Sequence, residues 1–316
     1  MSDDVGVYVD ITVVAPTFER VERLSRLVAA LEAQDLAVDR FEVVIVDDAS
    51  SDETPAVLSE LVAAATIDLR ALRLGVNGGP AAARNAGWRE ARGRVVAFID
   101  DDCTPEPGWA SALLRAFERN DRLGVVQGRT RAAEGARGAW TVAREIRDET
   151  PWFEGCNIAY RREALEATGG FDEQIRWYGE DTAAGWKVVE AGWERDFEGR
   201  AVAVHDLEDR GVAWRIRHGW LEGNLVVLAA RHPGLRASAF WRPWAFRSQS
   251  VSLPLAAAGV AAAVRWPVAL LAAVPYVISR RPLWRRPLDL LRFVVVDVAC
   301  VGGHVRASVR ARAIVL

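Results

Sequence analysis

The chain has 316 residues, 51% of them hydrophobic and 26% charged, which excludes a disordered polymer and supplies apolar material for one large domain or a domain with an appendage. The net charge of −3 hides an asymmetry: from residue 231 to the end there are 13 Arg against 2 Asp, a balance of +11, which leaves −14 on the rest. Three unpatterned cysteines, Cys103, Cys156 and Cys300, exclude a disulfide framework and a CxxC zinc site. The acidic start, Met1 to Asp10, has no basic n-region or apolar h-region, so the expectation is a cytoplasmic protein.

Val9 to Ala15 is an apolar, β-branched run that reads as a buried strand stopped by Pro16. Arg20 to Ala33 carries apolar residues at helical spacing (Val21, Leu24, Leu27, Val28, Leu31). Phe41 to Val46 is a second strand, ending on Asp47-Asp48; a helix over Thr54–Ala65 and a strand over Asp68–Arg73 follow. Gly78-Gly79-Pro80 opens a helix over Ala81–Ala91, and the strand Val95–Ile99 ends on Asp100-Asp101-Asp102. Alternation of strands with helices predicts an α/β fold with a mostly parallel sheet flanked by helices, whose ligands sit beyond the carboxyl ends of the strands. Two strands end in acidic clusters at that edge.

The pattern after Arg119 is mixed. Strands are predicted over Leu123–Thr130, Asn157–Tyr160 and Ala201–His205, helices over Arg161–Thr168 and Asp181–Ala191, and one long helix over Arg210–Arg231. The domain boundary is drawn there, giving a catalytic domain at 1–230 and a helical, basic and apolar region at 231–316. Within the latter, Val251–Ile278 is apolar but broken by Arg265 and by Pro254, Pro267 and Pro275. Neither half reaches the ~20 residues of a spanning helix, so a re-entrant hairpin or interfacial anchor is expected, with a hairpin packed on protein as the alternative. The nearby Arg280, Arg281, Arg285 and Arg286 suit anionic headgroups, and Trp241, Trp244, Trp266 and Trp284 suit an interface. A peripheral membrane contact through 251–286 is therefore expected. Nucleic acid is not, because the basic residues are interleaved with a long apolar stretch.

Three clusters carry chemistry. Three carboxylates at a strand end, Asp100 to Asp102, repel one another unless a cation sits among them, and a hard divalent ion bridging to a diphosphate fits; a solvated acidic turn is the alternative. Asp48, at the end of the second strand, can accept bonds from a base or ribose, while Ser50, Ser51 or Asp52 can cap the helix that follows. Gly78-Gly79 before a helix lets the backbone approach a phosphate, with Arg84 adding a charge-assisted contact.

Taken in order, Val14-Ala15-Pro16-Thr17-Phe18, Val46-Asp47-Asp48-Ala49-Ser50, Ala83-Arg84-Asn85-Ala86-Gly87, the Asp100–Asp102 triplet, Gly155-Cys156-Asn157-Ile158-Ala159, Gly169-Gly170-Phe171-Asp172 and Gly179-Glu180-Asp181-Thr182 resemble the family 2 glycosyltransferases, which have the GT-A fold. The resemblance covers Val13 to about His205. It implies that Pro16, Thr17 and Glu19 line a nucleoside pocket, that Asp48 holds the base, and that Asp100 and Asp101 meet ribose and diphosphate. It further implies that Asp102 and His205 ligate Mg2+ or Mn2+. Of the acidic pair Glu180 and Asp181, Asp181 is taken as the general base of a single, inverting displacement. The implied donor is a nucleotide sugar, UDP-linked by preference; the acceptor is a lipid-linked or cell-envelope saccharide at the inner membrane face. Ala183 and Ala184 depart from the family pattern, which often has an acid and a leucine there.

A dinucleotide-binding dehydrogenase would put GxGxxG after the first strand, where this chain has Pro16-Thr17-Phe18-Glu19-Arg20. A nucleotidyltransferase would put a basic, Gly-rich loop there. The non-enzymatic alternative is a degenerate sugar-nucleotide-binding or scaffold protein, which loss of Asp181 or the triplet would favour; both are present.

Overall fold

The computed structural model describes residues 9–175, 177–239, 248–280 and 287–312. Trp241, Trp244, Arg281, Trp284, Arg285 and Arg286 lie outside the described residues. The chain divides into two compact units: residues up to Gly135 with Ala143–Leu207, and Ala136–Val142 with Glu208–Leu316. The sequence reading drew its boundary after Ala230; by packing, residues 208–230 go with the C-terminal unit.

The first unit contains β1 (Ile11–Thr17), α1 (Val21–Glu32), β2 (Phe41–Asp47), α2 (Thr54–Ala64), β3 (Asp68–Arg73), α3 (Pro80–Arg89), β4 (Val95–Ile99), β5 (Cys103–Pro105), α4 (Trp109–Arg119) and β6 (Leu123–Ala132). After β7 (Thr141–Val142), which pairs in the second unit, it resumes with β8 (Asn157–Arg161), α5 (Arg162–Thr168), α6 (Glu180–Glu190) and β9 (Glu194–His205). Its strands form one sheet in the order β3-β2-β1-β4-β8-β6-β9-β5. β8 and β5 run antiparallel to their neighbours and the rest are parallel, so the predicted mostly parallel α/β sheet is present. Its central strands are apolar on both faces: Val13, Val14, Val43, Val44 and Val96 are fully buried, as a sheet covered by helices on both sides requires. Each such side chain contributes roughly 1.5–3 kcal/mol of burial free energy.

Two features of the sheet position the site. β1 does not stop at Pro16 but runs to Thr17, with Pro16 in register with Val46 of β2. Its pairing with β4 ends at Val14, so beyond that point the strand has one neighbour, and a residue without an N–H is tolerated. The sheet is also strongly curled. Ile99 ends β4 and Cys103 begins β5, a reach of at most about 15 Å, yet four strand spacings in a flat sheet would separate them by about 19 Å. Curling is helped by the irregularity between β6 and β9, where the register jumps from Gly128↔Glu198 to Arg129↔Val202. It brings the end of β9 beside the acidic turn.

The second unit is mostly helical: β10 (Glu208–Asp209) pairs with β7, and α7 (Gly211–Leu221), α8 (Gly223–Arg231), α9 (Pro233–Ala239), α10 (Ser248–Ala262), a 3-10 helix (Pro267–Ala273), α11 (Val274–Ser279) and α12 (Pro287–Ala311) follow. The single helix expected over 210–231 breaks at Glu222. A Cβ on Gly223 would lie 2.4 Å from the Gly303 carbonyl oxygen, so the backbone of α12 packs directly against the start of α8. No helix among the described residues is long and apolar enough to cross a membrane.

Candidate active site

The acidic turn between β4 and β5 is closed by the Cys103 N–H donating to the Asp100 carbonyl at 3.0 Å. Asp101 and Asp102 are buried. The Thr17 hydroxyl donates to Asp101 Oδ2 at 2.8 Å, and Arg20 Nη1 donates to Asp101 Oδ1 at 2.9 Å and Asp102 Oδ2 at 3.2 Å. Arg23 lies 3.5 Å from Asp102. Burial pushes the Asp101 carboxyl up to about 6, against the pull of Arg20 and with Asp102 and Asp100 adding to the rise. Arg20 and Arg23 border the acidic turn, and the sequence reading passed over them. A signal existed: basic residues at the start of a helix oppose its dipole, so they need a local anion.

His205 ends β9, and its backbone is in register with Cys103. Its Nδ1–H donates to the Asp206 carbonyl at 2.7 Å, which directs the Nε2 lone pair toward Asp102, 3.6 Å from Oδ1. That separation is too long for a hydrogen bond and suits two ligands flanking one cation at ~2.0–2.2 Å each. The ligand atoms of Asp102, Cys103 and His205 lie within 4.8 Å of one another. A contact with Cys156 and burial raise the Cys103 thiol, and the carboxylate and imidazole donors beside it fit a hard or borderline divalent ion. The residues present thus fit the metal implied for Asp102 and His205.

On the β1–β2 side, Gly78 and Gly79 N–H groups donate to the two oxygens of Asp48, both at 2.8 Å. Asp48 therefore fixes the start of α3; burial raises its carboxyl, against the pull of those two N–H groups. The Glu19 N–H donates to Ser50 Oγ at 2.9 Å, and the Ser51 hydroxyl donates to Glu19 Oε1 at 2.6 Å. Glu19 and Ala49 both hold left-handed backbone (φ 52° and 63°), strain concentrated on the two loops that leave the sheet edge beside Pro16 and Thr17.

Arg84, on α3, is 3% exposed and clamped between Asp100 (2.8 Å) and Glu180 (2.9 Å). The guanidinium that the sequence reading aimed at the diphosphate thus faces two carboxylates of the site. Burial alone would lower its pKa; Asp100, Glu180 and Asp181 more than reverse this and hold it ionised. Glu180 is buried, and its carboxyl is raised by that burial and by Asp181, with Arg84 opposing. Asp181, at the head of α6, is half-buried; it accepts from the Gly155 N–H at 2.9 Å and the Thr182 N–H at 2.7 Å. A Cβ on Gly155 would lie 2.7 Å from Arg84 Nη2, so a glycine is needed there to serve Asp181 and admit the guanidinium at once. Ala183 and Ala184 are buried, which leaves no solvated place for the acid often found at position 183 in the family. Trp177 is 43% exposed in left-handed backbone (φ 74°), next to Gly79.

A curled, mostly parallel sheet with an acidic turn after its fourth strand and a carboxylate pair at the head of a facing helix is the arrangement of a GT-A glycosyltransferase. Residues 12–171 match the family described as "Glycosyl transferase family 2", and the chain belongs to that family. It is 30% identical over 241 residues to the "Pre-mycofactocin glycosyltransferase" of Mycobacterium tuberculosis, covering 71% of this chain and 48% of that protein. It is 29% identical over 210 residues to the "Probable glycosyltransferase YdaM" of Bacillus subtilis, covering 60% and 49%. The chain thus spans about half the length of these curated relatives. Among solved structures, the fold matches the mannosyltransferase PcManGT of Pyrobaculum calidifontis in complex with GDP-Man and Mn2+ (TM-score 0.70, 24% identity, 94% of this chain and 87% of that one). It also matches S. aureus TarS 1-349 in complex with UDP (TM-score 0.55, 19% identity, 95% and 91%).

Proposed function

We propose that the chain is a metal-dependent, inverting glycosyltransferase that moves a sugar from a nucleotide-sugar donor, UDP-linked by preference, to a hydroxyl of a lipid-linked or cell-envelope saccharide. The observation that carries this reading is the division of labour at the head of α6: Glu180 is buried on Arg84, whereas Asp181 is accessible and oriented by two backbone N–H groups. Asp181 takes the proton of the acceptor hydroxyl as it attacks the anomeric carbon from the face opposite the leaving group. Glu180, Arg84 and Asp100 form a positioning chain that fixes the helix carrying Asp181 against the acidic turn. Asp102 and His205 would hold Mg2+ or Mn2+, which when bound neutralises the charge of the departing diphosphate. Asp48, Glu19, Pro16 and Thr17 frame the nucleoside, and Asp101 meets the ribose or diphosphate. The protein works in the cytoplasm at the inner membrane face, with a peripheral contact through 251–286; the exposed Val264, Trp266, Val268 and Leu271 support that contact.

The test is donor binding by calorimetry across UDP-, GDP- and dTDP-sugars, with Mn2+ or Mg2+ and then with chelator. One donor should bind, and binding should vanish on chelation and in Asp102→Ala. Absence of metal-dependent binding to every donor would refute the catalytic reading.

A further inference from the structure

On α12, a 25-residue helix, one face packs inward: Val296, Asp297, Gly303, His304 and Ala307 are buried. Its opposite face exposes Leu288, Leu291, Val295, Val298, Val305 and Val309 at 44–74%. At 100° per residue these six fall within an arc of about 100°; the arc also takes in Gly302, over which Trp220 of α7 packs, and Arg306, which stacks on Trp220, so the apolar stripe has two parts. From Leu288 to Val309 it is about 32 Å long. A stripe of that extent is outside the scatter of single exposed apolar residues on ordinary surfaces.

Charge decides what covers it. The exposed Arg292 and Arg310 run along one border, and Arg312 is exposed at the end. The helix has two acids, both off the stripe: Asp289 pairs with Arg292 at 3.4 Å, and buried Asp297 accepts from the Tyr276 hydroxyl at 2.7 Å. The stripe's spacing of three and four residues would also suit a second helix, but two copies of this face would set Arg292, Arg306 and Arg310 of each against a single bordering acid, Asp289, which Arg292 already pairs. The strongly basic balance of residues 231–316 points the same way.

We propose that α12 lies flat in the surface of an anionic lipid bilayer, its valine and leucine stripe in the acyl boundary and its arginines among the headgroups. Its polar groups and buried inner face, held by α7 and α8, make a spanning orientation impossible without unfolding the unit. The inference rests on the membrane part of the proposed function and moves the main contact from 251–286 to α12; it does not depend on which donor the cleft takes.

The experiment is flotation of the full chain with vesicles of phosphatidylcholine alone and of phosphatidylcholine with phosphatidylglycerol. The wild-type protein should bind the anionic vesicles more strongly, and less as salt is raised. The double variant Leu291→Glu/Val298→Glu should lose at least about tenfold in affinity, since two side chains that would enter the acyl boundary are replaced by anions. Both positions are exposed, so circular dichroism and nucleotide binding should be unchanged, which separates this result from misfolding and from failure of the catalytic reading. Failure to bind anionic vesicles, or equal binding by the variant, overturns the proposal. So does a wild-type dimer in light scattering that the double variant converts to monomer, which would assign the stripe to a second copy.

Discussion

Glu180 and Asp181 are adjacent in sequence and differ in what surrounds them. Glu180 is desolvated and bound to Arg84, and its carboxyl titrates above the ordinary range; Asp181 is half-buried and is held by N–H groups. Asp181→Asn should lower kcat by roughly 10²–10⁴-fold while leaving nucleotide affinity near wild type. Glu180→Gln should cost less, because an amide oxygen still accepts from Arg84, and it carries a second signature. Between the ordinary and the raised carboxyl pKa the folded state holds a proton that the unfolded state has lost, so wild-type stability falls as pH rises through that window. Urea unfolding across neutral and mildly acidic pH should show that slope in the wild type and a flatter one in Glu180→Gln; equal slopes would mean Glu180 is ionised like a free carboxylate. That the pair belongs to a family motif was legible from Gly179-Glu180-Asp181-Thr182. Which member is free was not, because it depends on Arg84, 96 residues away. The same holds for Arg20: it lies four residues from Pro16, but its purpose shows only when Asp101 and Asp102 arrive across the sheet edge.

Among elements, α3 is placed by close approach. A Cβ on Gly87 would lie 2.3 Å from Val14 Cγ1 on β1 and 3.1 Å from Val46 Cγ2 on β2, both fully buried. The missing side chain lets the helix settle on the sheet so that its N-terminus meets Asp48 and its Arg84 meets Asp100. Gly87→Ala should destabilise the protein by about 1–3 kcal/mol through overpacking. A lower denaturation midpoint with an unchanged m-value would report it, and an unchanged midpoint would show that the helix shifts freely. The helices and strands of the first half were legible because both periodicities are strong there. The end of β1 was misread because proline stops a central strand but not one that has lost a neighbour. The division of 210–231 into α7 and α8 at Glu222 was invisible because no proline announces it and Glu222 itself keeps helical backbone.

At the scale of the molecule, one ion cluster ties the second half of the sheet to its covering helix. Glu198, at the irregularity in β9, accepts from Arg119 on α4 at 2.9 Å and from Arg200 at 2.9 and 3.0 Å. The Arg200 hydrogen bonds first, then Arg119, outweigh desolvation and bring its carboxyl down to about 2. The folded pKa is depressed, so the stabilisation is fully present above the unfolded carboxyl range and is lost as pH falls toward 2. Thermal melts of wild type and Glu198→Gln should therefore differ at pH 7 and converge by about pH 2; a gap that persists in acid would place the effect in packing instead of charge.

The sequence by itself determined the class of fold, the family, the acidic turn, the carboxylate pair and the basic, apolar character of residues 231–316, because each is written in local spacing, composition or motif order. The tertiary structure alone decided that Arg84 serves two carboxylates, that Asp181 is the accessible acid, that His205 faces Asp102 and that the apolar residues of α12 form an outward stripe. Those outcomes depend on which groups the curled sheet and the packed helices bring within a few ångströms, and contacts between residues far apart in the chain leave no local pattern to read.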